Sequence, residues 1–356
     1  MSNAENAVLA VSRALHGKRL TDDDYIHLLS AKNTDEIASY LKSSTYYADG
    51  FEAITSGVFS ATALERVVNR SMFNKVAKLC KLEYIIGQDF YKYFITKLEI
   101  EQILRCVSYL IIGESDSYLM DFCSSIEREL QIDLYAMAKA ESPDELADIL
   151  RPTVYGKVFD MCLVSGEINL LNFETAFDSW FRQCAAKLTE SVNHGKQKKA
   201  ITDCISHHND IEFICQLVRV VKYYKDNQPL RTVVMPGTMT LLSDKQTDAL
   251  LKCESVEQID EILSDTAYKS LVPLSGKSDI KCALDRYFAQ YCAKQIRFST
   301  YPSVIMYCYM CRMKIEGTDI IRIIEGKRYG MSSEQISRFI CCAEINNNDR
   351  RDADGN

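Results

Sequence analysis

Several places in the sequence combine residue types that can do chemistry. Cys204-x-x-His207-His208, with Cys215 further on, has the ligand types of a zinc site. On one unbroken helix residues 204, 208 and 215 would share a face. Asn209-Asp210, however, reads as the start of a new helix, and nothing equivalent stands elsewhere in the chain. The expectation is a histidine pair at a helix junction beside two buried thiols. Ser275-Gly276-Lys277-Ser278 looks like the end of a phosphate loop, whose backbone must curl around the anion. That loop needs a glycine five residues before Gly276; the chain has Leu271 there, with Pro273 intruding. Cys308-x-x-Cys311 lies inside an apolar helical stretch, not at a helix start where a reactive thiolate would be stabilised.

The remaining candidates are acid–arginine pairs. Glu101 with Arg105, and Asp319 with Arg322, have the spacing of intrahelical ion pairs, worth about 0.2–0.5 kcal/mol each. The alternative is that these polar stretches face a shared surface, with Glu99, Arg105, Glu316 and Arg322 as partner contacts. The sequence has no nucleophile elbow, no His-Glu-x-x-His and no glycine-rich dinucleotide loop. With 5 histidines and no outstanding carboxylate pair, it points to binding, with no catalytic residue, metal, cofactor or small-molecule substrate expected.

The elements that must position these residues recur three times. Thr34-Asp-Glu-Ile-Ala-Ser-Tyr-Leu is followed by Thr45-Tyr-Tyr47, Ser142-Pro-Asp-Glu-Leu-Ala-Asp-Ile-Leu by Thr153-Val-Tyr155, and Ser255-Val-Glu-Gln-Ile-Asp-Glu-Ile-Leu by Thr266-Ala-Tyr268. A hydroxyl residue accepts the orphan amides of a helix start, and acids in the first turn favour the positive end of the helix dipole. Ser142 with Glu145, and Ser255 with Gln258, have capping-box spacing. Ile37, Tyr40 and Leu41 recur as Leu146, Ile149 and Leu150 and as Ile259, Ile262 and Leu263, one buried face of a short helix. The apolar residues of the first copy sit one place early relative to the hydroxyl.

A second landmark, Glu65-x-x-x-Asn69, is matched by Glu174-x-x-x-Asp178 and by Asp285, each with aromatics just after. The first lies on a long helix whose stripe is Leu64, Val68, Met72, Val76 and Leu79. A third landmark reads Glu99-Ile-Glu-Gln-Ile-Leu-Arg105, Asp210-Ile-Glu-Phe-Ile-Cys-Gln216 and Glu316-Gly-Thr-Asp-Ile-Ile-Arg322. Glycine follows both arginines eight residues later, at Gly113 and Gly330, whereas the middle copy has Gln216 and Tyr224. The organisation expected is helical repeats over residues 5–115, 116–230 and 231–345 with a disordered tail at 346–356. Asn193–Lys199 reads as an exposed loop.

Composition agrees with a globular helical chain: 47% hydrophobic, 26% charged, and only 6 prolines and 14 glycines in 356 residues. A net charge of −7 gives no support to nucleic-acid binding. The 14 cysteines are scattered singly through amphipathic stretches and read as reduced core thiols. No apolar stretch approaches the ~20 residues of a membrane span.

Leu15-His-Gly-Lys-Arg-Leu20-Thr-Asp-Asp-Asp-Tyr25, the repeated Thr-x-Tyr, and the closing Lys314–Ile336 stretch with Arg322 and Gly330 together resemble the V/A-type rotary ATPase subunit called C in bacteria and archaea and d in eukaryotes. The likeness covers roughly residues 5–340. It implies an all-α fold of three homologous helical units in a pseudo-three-fold, funnel-like arrangement. It also implies a non-catalytic rotor subunit on the cytoplasmic face of the membrane, with the central-shaft subunits and the proteolipid ring as partners. The alternative is a helical-repeat scaffold of another cytoplasmic assembly.

Overall fold

A computed structural model describes residues 3–52, 59–85, 87, 89–113, 130–163, 169–192, 194–223, 237 and 239–343. Among them the chain is all-helical, as the periodicity predicts. The expected tail at 346–356, Tyr224, and the repeat boundaries at 115/116 and 230/231 lie outside the described residues.

Three pairs of short helices are built alike: α2 (Asp22–Ser30) with α3 (Thr34–Ser44), α6 (Leu134–Ala138) with α7 (Pro143–Leu150), and α11 (Asp244–Leu251) with α12 (Val256–Ser264). Helix α1 (Asn3–Gly17) precedes them, and α8 (Gly156–Cys162) and α15 (Ser333–Ser337) are single short helices. The long helices are α4 (Ala61–Ile85), α5 (Tyr91–Ile112), α9 (Leu170–Val192), α10 (Gly195–Tyr223), α13 (Ile280–Phe298) and α14 (Pro302–Arg328).

Local capping explains the one-place misfit of the first copy. The N-cap of α3 is Asn33, not Thr34: its side chain accepts the Glu36 amide at 3.0 Å. Counted from Asn33, Ser142 and Ser255, the buried residues Ile37, Leu146 and Ile259 all stand four places on. Leu41, Leu150 and Leu263 stand eight on, and all six are fully buried. The reciprocal half of the expected capping box is shifted by one residue. The side chains of Glu36, Glu145 and Gln258 accept the amides of Lys32, Glu141 and Glu254, each the residue before the cap.

Two expectations fail on α10. It begins at Gly195, within the stretch read as a loop, and runs unbroken through Asn209-Asp210. Those two residues do not cap a helix because their side chains are engaged elsewhere. The Asn209 amide donates to the Met239 carbonyl at 3.0 Å, and the Asp210 carboxylate accepts three donors described below. Gly113 and Gly330 follow the ends of α5 and α14 with φ of +79° and +71°, left-handed conformations that suit glycine and stop a helix.

The chain divides into two compact units, residues 1–72 with 195–356, and residues 73–194. In the first, Tyr25, Leu28, Ile37, Leu41 and Leu64 pack with Ile320, Ile323 and Ile324 of α14. Helix α1 is tied to the same unit by Arg13, which donates to the Ile296 and Ser299 carbonyls at the end of α13, at 3.0 and 2.7 Å. In the second, Ile103 and Val107 of α5 pack with Leu146, Leu150, Phe159, Phe173 and Phe177.

Candidate functional site: three buried acid–tyrosine ties

Burying a carboxylate is costly unless donors satisfy it, and three long helices bury one at the same place in the repeated pattern. Glu99 on α5, Asp210 on α10 and Glu316 on α14 are each 1% exposed. They are the first residues of the three third-landmark copies. Glu99 accepts the Tyr155 hydroxyl and the Gln131 amide. Asp210 accepts the Tyr268 hydroxyl at 2.6 Å, the Leu241 amide at 2.8 Å and the Thr240 hydroxyl. Glu316 accepts the Tyr46 and Tyr47 hydroxyls at 2.6 and 3.0 Å and the Leu20 amide at 3.3 Å. In every case the amide lies just ahead of the first short helix of a pair, and the tyrosine just behind the second.

The Thr-x-Tyr sequence aims the tyrosine. Thr45, Thr153 and Thr266 donate to the carbonyls of Leu41, Leu150 and Leu263 at 2.8, 2.6 and 2.8 Å, closing the helix end. The same oxygens accept the amides of Tyr47, Tyr155 and Tyr268 at 3.2, 3.1 and 3.0 Å. A threonine thus fixes the backbone of the tyrosine, whose ring then spans to the carboxylate. The three tyrosines are 0–1% exposed.

Each tie joins two sequence copies in cyclic order. Glu99 of the first meets Tyr155 of the second, Asp210 of the second meets Tyr268 of the third, and Glu316 of the third meets Tyr47 of the first. Burial pushes all three carboxyls up, and the tyrosine and amide donors pull them back. Each carboxylate is enclosed and met by donors of the chain itself, an arrangement that holds elements together and offers no reacting group to a substrate.

The four residues singled out by spacing therefore differ in placement. Glu99 and Glu316 are internal acceptors. Arg105 is half-buried on α5. Arg322 pairs with Asp319 at 3.2 Å, as the i, i+3 spacing predicts, stands 3.5 Å from Asp285 and donates to the Phe339 carbonyl at 2.9 Å. The structure thus joins the second landmark, Asp285, to the third. Asp319, fully buried, also accepts the amides of Cys341 and Cys342 at 2.9 and 2.8 Å, holding the chain after α15 against α14. Spacing alone overlooks Asp210 as a site residue, although its alignment with Glu99 and Glu316 carries the signal.

The other chemical motifs are placed as follows. Cys204 lies 3.2 Å from the Tyr291 hydroxyl, and His208 Nδ1 is 2.7 Å from the Tyr307 hydroxyl. Cys215 sits eleven residues along the same helix from Cys204, about 16 Å at 1.5 Å per residue, too far for a shared ion. No group of three His, Cys, Asp or Glu that could hold a metal occurs among the described residues. At the head of the Ser275–Ser278 stretch, the amides of Leu274 and Ser275 donate to the Asp260 carboxyl at 2.7 and 3.0 Å, so a side chain of the chain itself occupies them. Burial pushes the Cys308 thiol well up, away from thiolate chemistry.

Among the described residues no helix is long and apolar enough to cross a membrane. Comparison with the curated proteins finds no match. The family described as ATP synthase (C/AC39) subunit matches residues 8–339, nearly the whole chain and all three ties. Its members are structural, non-catalytic parts of V/A-type ATP synthases, in keeping with carboxylates enclosed by donors of their own chain. With the match spanning that length and the buried ties repeated along it, this chain belongs to the ATP synthase (C/AC39) subunit family.

Proposed function

We propose that the chain is the rotor element that couples the central shaft of the soluble ATPase head to the membrane proteolipid ring, passing torque during ATP-linked proton or sodium transport. It would act from the cytoplasmic face as a peripheral subunit. The observation that carries this reading is the thrice-repeated tie. A coupler loaded in shear must not let long helices slide past the elements beside them. Hydrogen bonds to a charged acceptor inside a low-dielectric core resist such sliding better than apolar contacts, which are non-directional. Of the four residues picked by spacing, Arg105, half-buried on α5, is the proposed partner contact. Glu99, Glu316 and Arg322 would act indirectly, each by keeping the helices of its own unit in register.

The test is a pull-down with a correctly folded two-subunit shaft complex and a detergent-solubilised proteolipid ring. Recovery of both is expected, with weaker recovery for Arg105→Ala. Recovery of neither overturns the proposal.

A further inference from the structure

One cluster plays no part in the ties and does not depend on the coupling role. Cys282, near the start of α13, and Cys341, beyond α15, bring their sulfurs to 3.3 Å although 59 residues separate them in sequence. Each is 3% exposed. Two guanidiniums face the pair: Arg286 Nη2 lies 3.5 Å from the Cys282 sulfur, and Arg322 Nη1 lies 3.1 Å from the Cys341 sulfur. The same arginines donate to the Ile340 and Phe339 carbonyls at 3.0 and 2.9 Å, so the cations are fixed in place by the segment that carries Cys341.

Arg322 also serves Asp319 and Asp285, yet both guanidiniums keep an N–H on the sulfur pair, the setting that favours a thiolate. The hydrogen bond from Cys341, with Arg286 and Arg322, draws the Cys282 thiol below its ordinary value against the opposing effect of burial, and the same bond raises Cys341. One sulfur is thus set up as nucleophile and the other keeps its proton. The pair lies close to the surface: Arg338 and Phe339 are exposed, and the Cys282 sulfur is 3.5 Å from the Arg338 carbonyl. Cys308, by contrast, is fully buried and its thiol is pushed well up.

We propose that Cys282 and Cys341 form a reversible redox site, closing a disulfide when the protein meets a peroxide. The Cys282 thiolate attacks one oxygen of hydrogen peroxide, the O–O bond breaks, and hydroxide leaves, giving the sulfenic acid. The Cys341 sulfur then attacks the Cys282 sulfur. The S–O bond breaks, and the departing hydroxyl takes up the Cys341 proton as water. Overall two thiols and one peroxide give one disulfide and two waters; sulfur is oxidised and peroxide oxygen reduced. Closure replaces a hydrogen-bonded contact with a covalent one and staples the segment after α15 to α13.

The test uses the full chain, reduced and then titrated with hydrogen peroxide at neutral pH. Remaining thiols are blocked with N-ethylmaleimide and the peptides mapped without reduction. The expected product is a Cys282–Cys341 cross-linked peptide, about 2 Da lighter than the two reduced peptides together, formed before the half-buried Cys184 and Cys215 react and reversed by dithiothreitol. Oxidation should raise the melting temperature of the wild type and leave that of Cys282→Ser unchanged. If Cys282 and Cys341 both stay alkylatable at peroxide levels that oxidise Cys184 and Cys215, the proposal is wrong. The same holds if Cys341 pairs with Cys342 instead. Because the wild-type map decides this alone, a variant that fails to fold would not protect the idea.

Discussion

Tyr47 donates its hydroxyl to Glu316 at 3.0 Å across 269 residues of sequence, and Tyr46 donates to the same carboxylate oxygen at 2.6 Å. That doubling distinguishes this tie from the one at Glu99, where Tyr155 is the only side-chain donor among the described residues. Asp210, like Glu316, has two, Tyr268 and Thr240.

The three ties should therefore differ in their response to losing one hydroxyl. Tyr155→Phe is expected to cost about 1.5–3 kcal/mol, the range for a hydrogen bond to a charged group. Tyr268→Phe and Tyr47→Phe should each cost less, because a second hydroxyl, of Thr240 or Tyr46, remains on the carboxylate. Urea denaturation of the three variants gives the ranking, and equal or negligible losses would refute it.

Leu64 and Leu79 on α4 are both fully buried, as their common stripe predicts. Each truncation to alanine should destabilise by about 2–5 kcal/mol. A thermal melt unmoved by both would mean that the buried face of α4 is misassigned.

Glu83 on α4 is 2% exposed and its Oε2 has no hydrogen-bond partner; burial raises its pKa from 4.5 to about 7. The folded state therefore holds a proton that the unfolded chain releases near pH 4.5. The stabilisation is fully present below that pH and is lost as pH rises through about 7, a difference of about 3 kcal/mol. Glu83→Gln should remove this slope. The comparison of stability against pH for the two proteins isolates it from His16 and His207, whose pKa values are lowered by burial and act in the opposite direction.

Gly113 and Gly330 hold left-handed backbone, and an added Cβ would meet nothing within 4 Å. Any penalty for alanine there is conformational, about 1–2 kcal/mol each. A melt showing no loss in either variant would contradict the helix-stop role.

How much of this was legible follows from particular residues. Ile37, Leu146 and Ile259 declare a buried helical face through spacing alone, and the two glycines after arginine announce where α5 and α14 stop. Thr-x-Tyr was visible as a repeated pattern, but its purpose was not. A tyrosine's partner lies on another element, and sequence spacing reports only neighbours on the same one. For the same reason Glu99 and Glu316 looked like surface charges. The misreading of Asn209-Asp210 as a helix start has a similar origin: both residues are good caps in isolation, and only tertiary partners reveal that their side chains are already committed. Asp319 with Arg322 was readable because its partner is a local one.

The cyclic order of the ties also bears on how the chain is made. Glu99 and Tyr155 leave the ribosome 56 residues apart and can find each other early. Tyr47 must wait for Glu316, 269 residues later, an interval on the order of tens of seconds at ordinary translation rates. Through that interval α2 and α3 expose the face they will bury against α14. The helices made second and third can thus complete their packing only after nearly all of the chain has been synthesised.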